Sequence, residues 1–124
     1  MCANWGYDEL HKAIEKRAIE EMKHAEMHIA RILFLEGIPV VSELKKMNIG
    51  ATVEAQLKSD WNAEAGAVKA YNDAVRLAVE QVDNGSREIL DSILKDEEEH
   101  IDWIETQLEQ ISQMGIANYL VEQV

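Results

Sequence analysis

Apolar residues recur along three stretches of this chain at steps of four and three, mostly in alternation, the spacing of one buried stripe on an α-helix. The first stretch carries Leu10, Ile14, Ala18, Glu21, Ala25, His28, Ile32 and Leu35. The second carries Leu57, Trp61, Glu64, Val68, Tyr71, Val75, Ala78 and Val82, and the third Leu90, Leu94, Glu97, Ile101, Ile104, Leu108 and Ile111. Local signals set the ends. Asp8 is a candidate N-cap and Gly37 with Pro39 a stop, so helix one is expected from Trp5 or Asp8 to Glu36. Thr52 ahead of Glu54 opens helix two over Val53 to Val82. Asp83-Asn84-Gly85 reads as a turn, and helix three follows over Ser86 to Met114, with Gly115 beyond it. Residues 116 to 123 can form one or two short amphipathic turns.

The connection over residues 37 to 52 is too long for a tight hairpin. Fully extended it reaches roughly 50 Å, about the length of helix one, so helix two can start parallel to the first. Its apolar residues Ile38, Val40, Val41, Leu44, Met47 and Ile49 imply that it packs on something. Helix one carries a second apolar stripe, Ile19, Met22, Ile29 and Leu33, which suggests packing against another subunit.

Composition narrows the class. The chain has 124 residues, enough for one domain over residues 1–124. Its 24 acids against 12 bases give a formal charge of -12, which argues against a phosphate-binding nucleic-acid partner and suits a protein that attracts cations. Cys2 is the only cysteine, so no intrachain disulfide forms, in keeping with a reducing cytoplasm. There is no membrane-length apolar run, signal-peptide pattern, phosphate loop or nucleophile elbow.

Each apolar stripe holds a glutamate: Glu21, Glu64 and Glu97. Two of them add a histidine one helical turn later, in Glu21-Met-Lys-His24 and Glu97-Glu-Glu-His100. Carboxylates and imidazoles in a buried seam are costly unless something satisfies them. Oxygen ligands with two imidazoles suit iron or manganese, and bundle-core di-metal sites take one such contribution from each helix. A polar network inside the bundle is the alternative. The other conspicuous residues have plainer readings. His28 is a packing or interface histidine, His11 is solvated, and Trp5, Trp61 and Trp103 anchor the packing. The acid run Asp96 to Glu99 is a solvated face with Glu97 alone turned inward.

The chain resembles the bacterioferritins over nearly its whole length, through Glu20-Glu-Met-Lys-His-Ala, Arg31-Ile-Leu-Phe-Leu-Glu-Gly, Met47-Asn-Ile-Gly, Asp96-Glu-Glu-Glu-His-Ile-Asp-Trp and Met114-Gly-Ile-Ala-Asn-Tyr-Leu. The resemblance implies an all-α, ferritin-like helical bundle. It implies that Glu21 and Glu97 bridge two irons, that His24 binds one and that Glu64 with His100 bind the other. It further implies oxidation of Fe(II) to Fe(III) by dioxygen or peroxide, and storage of the product in a homo-oligomeric shell of twenty-four subunits. Met22 would ligate haem b across a two-fold interface; from its stripe alone it is an interface packing residue. The tail at Asn118-Tyr119-Leu120 resembles the short last helix of that family, the alternative being a frayed terminus.

Two departures qualify the resemblance. A bacterioferritin subunit begins with a further helix that supplies one more glutamate, on the iron bound by His24. Here the sequence begins at the junction after that helix, so three long helices and five of six ligands are expected, with an open groove. A fragment, a helix borrowed from a neighbour, or a repacked bundle each account for this; a truncated subunit that still assembles is the preferred one. Positions that form an inner iron site in some members read Lys16 and Glu20. The expectation is an iron-storage ferroxidase subunit in the cytoplasm, the alternative a haem-binding or assembly module without iron turnover.

Overall fold

The computed structural model describes residues 1–124 and is all helical. A 3-10 turn at Ala3–Trp5 precedes α1, Asp8–Phe34. Then come α2, Val53–Glu80, α3, Asn84–Met114, and the short α4, Ile116–Val121. No helix is long and apolar enough to cross a membrane.

The ends follow local chemistry, with four shifts from expectation, one of them that α2 stops at Glu80 rather than Val82. Thr52 caps α2 as the sequence suggests, its hydroxyl accepting from the Ala55 amide at 3.2 Å. For α1 the cap position falls to Tyr7, and Asp8 becomes the first helical residue, where its charge still favours the helix N-terminus. Asp83 is the cap of α3, accepting from the Ser86 amide at 3.0 Å. Asn84 and Gly85 therefore lie inside the helix rather than in a turn, because the cap makes the turn one residue earlier. Helix α1 stops at Phe34, not Glu36. Glu36 takes a left-handed φ of 63°, and the Gly37 amide bonds back to the Ile32 carbonyl at 2.8 Å. That pattern closes the helix ahead of the glycine.

Helices α2 and α3 form an antiparallel pair that packs along its length. Helix α1 lies across them, parallel to α2: Arg17 meets Asp60, His28 meets Tyr71 and Arg31 meets Asp83. The long connection thus does return along the bundle. Its apolar residues do not pack within this chain, however; Ile38 and Leu44 are 89% and 87% exposed. Met22, Leu33 and Phe34 of α1 are also exposed.

The apolar core sits at one end, where α4 folds back. Cys2, Leu10, Val53, Leu57, Ile104, Ile111 and Tyr119 are buried together there, with Trp61 and Trp103 packed against them as expected. Trp5 is not part of that cluster and is 37% exposed. The Tyr119 hydroxyl donates to Gln107 Oε1 at 2.7 Å, which satisfies both buried groups. Tyr119 is fully buried, so the tail is a packed helix, not a frayed end. Away from this end the buried residues include Ala78 and Ile93 together with the polar His24, Glu64 and Glu97.

Candidate metal centre

The midsection of α1 presents a line at seven-residue spacing: Leu10, Arg17, His24 and Arg31. Leu10 and His24 are buried and the two arginines half-buried. The stripe read from the sequence runs one step aside, through Glu21 and Ala25, which are exposed. The helix meets neighbours on one side only, so the polar line with partners on α2 and α3 turns inward.

All five seam residues nonetheless converge. Glu64 and Glu97 are 6% and 2% exposed. One oxygen or nitrogen from each of Glu21, Glu64, Glu97 and His100 falls within 4.8 Å of the others. His24 Nδ1 lies 3.2 Å from Glu97 Oε1 and 3.8 Å from Glu21 Oε2. His100 Nδ1 lies 3.5 Å from Glu21 Oε1 and 3.8 Å from Glu64 Oε1. The two oxygens of Glu21 therefore face different histidines, the disposition of a bridging carboxylate.

Each imidazole is held from behind. His24 Nε2 donates to Asp96 Oδ2 at 2.8 Å, and His100 Nε2 donates to Glu20 Oε2 at 2.8 Å. A carboxylate only accepts, so the proton sits on Nε2 and the Nδ1 lone pair is free. This is the arrangement that orients histidines toward a metal. The hydrogen bond from His100 holds the Glu20 carboxyl below its ordinary range. Neither Asp96 nor Glu20 is expected from the sequence to support a histidine. Asp96, in the run expected to be a solvated face, is instead half-buried on His24. A ring has two nitrogens, so an inward Nδ1 on a helix demands an outward acceptor nearby. That requirement was the available signal.

Besides Arg17 Nη1, three buried atoms have no hydrogen-bond partner: His24 Nδ1, Glu97 Oε1 and His100 Nδ1. All three point at the same space. Orphaned acceptors at one point are costly unless a cation or proton meets them. Burial, then Glu64 and Glu21, push the Glu97 carboxyl up to about 10. A proton on Glu97 thus takes up part of this charge, and a cation entering displaces it. The donor set, oxygens with two imidazoles and no thiolate, fits iron or manganese.

Around the cluster, Arg17 Nη2 pairs with Asp60 at 2.9 Å and its Nε lies 3.7 Å from Glu64 Oε1. One turn beyond His24, His28 hydrogen-bonds the Tyr71 hydroxyl at 2.8 Å and stacks on its ring. His28 is thus a packing histidine, as read. Burial and the charges of Glu97, Glu21 and Glu64 push the Tyr71 phenol up to about 12. Met22 lies on the far side of α1, 60% exposed and apart from the cluster. His11 is exposed, as expected.

A ferritin-like domain profile matches residues 1–114. A bacterioferritin of Brucella melitensis is 36% identical over 116 residues, covering 94% of this chain and 72% of that protein. A bacterioferritin of Mycobacterium avium is 35% identical over 119 residues, 96% of this chain and 75% of its own length. One from Rhodobacter capsulatus is 38% identical over 112 residues, 90% and 70%.

Proposed function

We propose, because the chain belongs to the bacterioferritin family of ferritin-like proteins, that it is an iron-storage and detoxification subunit. In this reading it is a single ferritin-like domain that oxidises Fe(II) to Fe(III) at the cluster between α1, α2 and α3. The observation that carries it is the convergence of three buried, unpartnered ligand atoms on Glu21.

The residues divide the work. Glu21 and Glu97 lie beside both imidazoles and would be shared by the two irons; His24 would hold one iron, Glu64 and His100 the other. Asp96 and Glu20 fix the imidazoles with Nδ1 inward. Glu97 surrenders its proton as Fe(II) arrives, so uptake strengthens as pH rises. Glu21, 44% exposed at its side chain, is the door of the site. The irons supply the one-electron chemistry that reduces dioxygen or peroxide. Anaerobic titration with Fe(II) should saturate near two irons per subunit, followed by saturable oxygen uptake. His100→Ala should abolish that uptake, and an unchanged rate refutes the reading.

The exposed apolar face of α1 supports a second element. Met22 stands on it with Ile19 and Leu33 nearby, where a thioether from each of two subunits could hold the iron of haem b. Met22→Leu should then remove the haem absorbance and leave oxygen uptake nearly intact. If uptake is absent while haem binds, the chain is instead a haem-binding or assembly module. In either form the partner is a second copy of this chain, in a two-fold dimer or a twenty-four-subunit shell, and the compartment is the cytoplasm.

A further inference from the structure

The two halves of the cluster are unlike in charge. The half at His24 is backed by Asp96, and no cation pairs with that carboxylate. At the other half both supporting acids are shared. The Arg17 guanidinium lies 3.7 Å from Glu64 Oε1, and Lys16 Nζ lies 3.7 Å from Glu20 Oε1. Both cations border a cavity of about 270 Å³ that reaches His100. Lys16 is 80% exposed at its side chain and its charge is spent largely on water. Arg17 is 19% exposed, and its charge acts through protein.

Arg17 is also held in place. Its Nη2 is fixed by Asp60 at 2.9 Å, and Nη1 is buried without a partner. A residue needed only for an ion pair with Asp60 would not leave a buried donor unmet, nor bring Nε against a second acid. The guanidinium cannot deprotonate, so the charge is permanent.

We infer that Arg17 is a positioning residue that acts through Glu64 to loosen the cluster's hold on the cation bound between Glu64 and His100. This deepens the reading of the cluster as a metal centre and rests on it. By ligand number that half should bind tighter: four residues converge there, against three at His24. A fixed positive charge on one ligand offsets the advantage. Its field already stabilises the Glu64 carboxylate in the metal-free state and repels the incoming cation. A site whose metal is substrate, to be passed on, needs a limited grip. In the metal-free protein the same charge lets Glu64 stay beside Glu97 and Glu21 without mutual repulsion driving them apart.

The test uses Co(II), whose visible absorption reports ligand geometry without turnover. The full chain, freed of metal, is titrated anaerobically by absorbance and calorimetry. Arg17→Met should tighten by about tenfold the binding step that His100→Ala abolishes, the effect of one partly screened charge removed. The step at His24 should move little. Arg17→Lys keeps the charge and should restore the wild-type affinity. Asp60→Asn releases the guanidinium from its counter-ion and should weaken the same step, which keeps the idea testable if Arg17→Met folds poorly. The inference is overturned if Arg17→Met leaves that step unchanged or weakens it, or if Arg17→Lys behaves like Arg17→Met. A wild-type protein that takes up no Co(II) at all removes the metal-centre reading and this inference together.

Discussion

Asp96 and Glu20 matter through the nitrogen they do not share with the site. Each fixes the proton of one imidazole on Nε2, and thereby leaves the Nδ1 lone pair open toward the cluster. Asp96→Asn preserves shape but exchanges a charged acceptor for a neutral amide. We expect it to lower cation affinity at His24 by about ten- to a hundredfold, read by Co(II) titration, with thermal stability little altered. His28 makes the opposite kind of statement. Burial, reinforced by the neighbouring His24 charge, lowers its proton affinity from the ordinary value of 6.5. A histidine whose folded value is depressed favours the folded state while neutral. Its contribution is whole above about pH 6.5 and is lost as pH falls toward the folded value. Urea unfolding from pH 7.5 to 5 should show that loss in the wild type and a shallower one in His28→Phe.

The helices carry two local features that can be tested separately. Val82 has a φ of 54°, a left-handed conformation that a β-branched residue tolerates badly. It is forced there because the Asp83 amide bonds the Ala78 carbonyl at 2.8 Å to close α2. Val82→Gly should therefore stabilise the protein by about 1 kcal/mol, measured by chemical denaturation. Thr52→Ala should cost about 1 kcal/mol through the lost cap. Much of this level was legible in the sequence. Helical period fixed α2 and α3 and placed Glu64 and Glu97 inside, since both helices are flanked by neighbours. It misphased α1, because periodicity finds the more apolar stripe and α1 buries a polar one, Arg17 with His24 and Arg31. It found the five seam residues but not Asp96, Glu20 or Arg17, whose roles depend on ring orientation and on contacts across helices.

For the whole molecule, two features pull in opposite directions. Ile38, Val40, Val41, Leu44, Met47 and Ile49 are exposed, as are Met22, Leu33 and Phe34 of α1, and large apolar side chains left open in such number invite cover by another chain. Against that stands a net charge of -12, which repels a second copy. Salt screens the repulsion and leaves apolar contact intact. Self-association should therefore strengthen between low and moderate salt, and the melting temperature should rise with protein concentration. Sedimentation velocity over both variables checks this; a monomer at every salt and concentration contradicts it.

Because α1 lies parallel to α2, the chain must travel the full length of the bundle before α2 begins. The α2–α3 pair closes locally across Asp83, whereas α1 docks only after a long loop is ordered, an entropic cost that delays it. The cluster is divided along that same line: Glu21 and His24 ride on α1, and Glu64, Glu97 and His100 on the pair. A bound cation is therefore also a fastening between an early-forming hairpin and a late-arriving helix. Amide hydrogen exchange should report α1 as a unit that opens without α2 and α3. Saturating metal should slow exchange along the whole of α1 and leave the hairpin nearly unaltered.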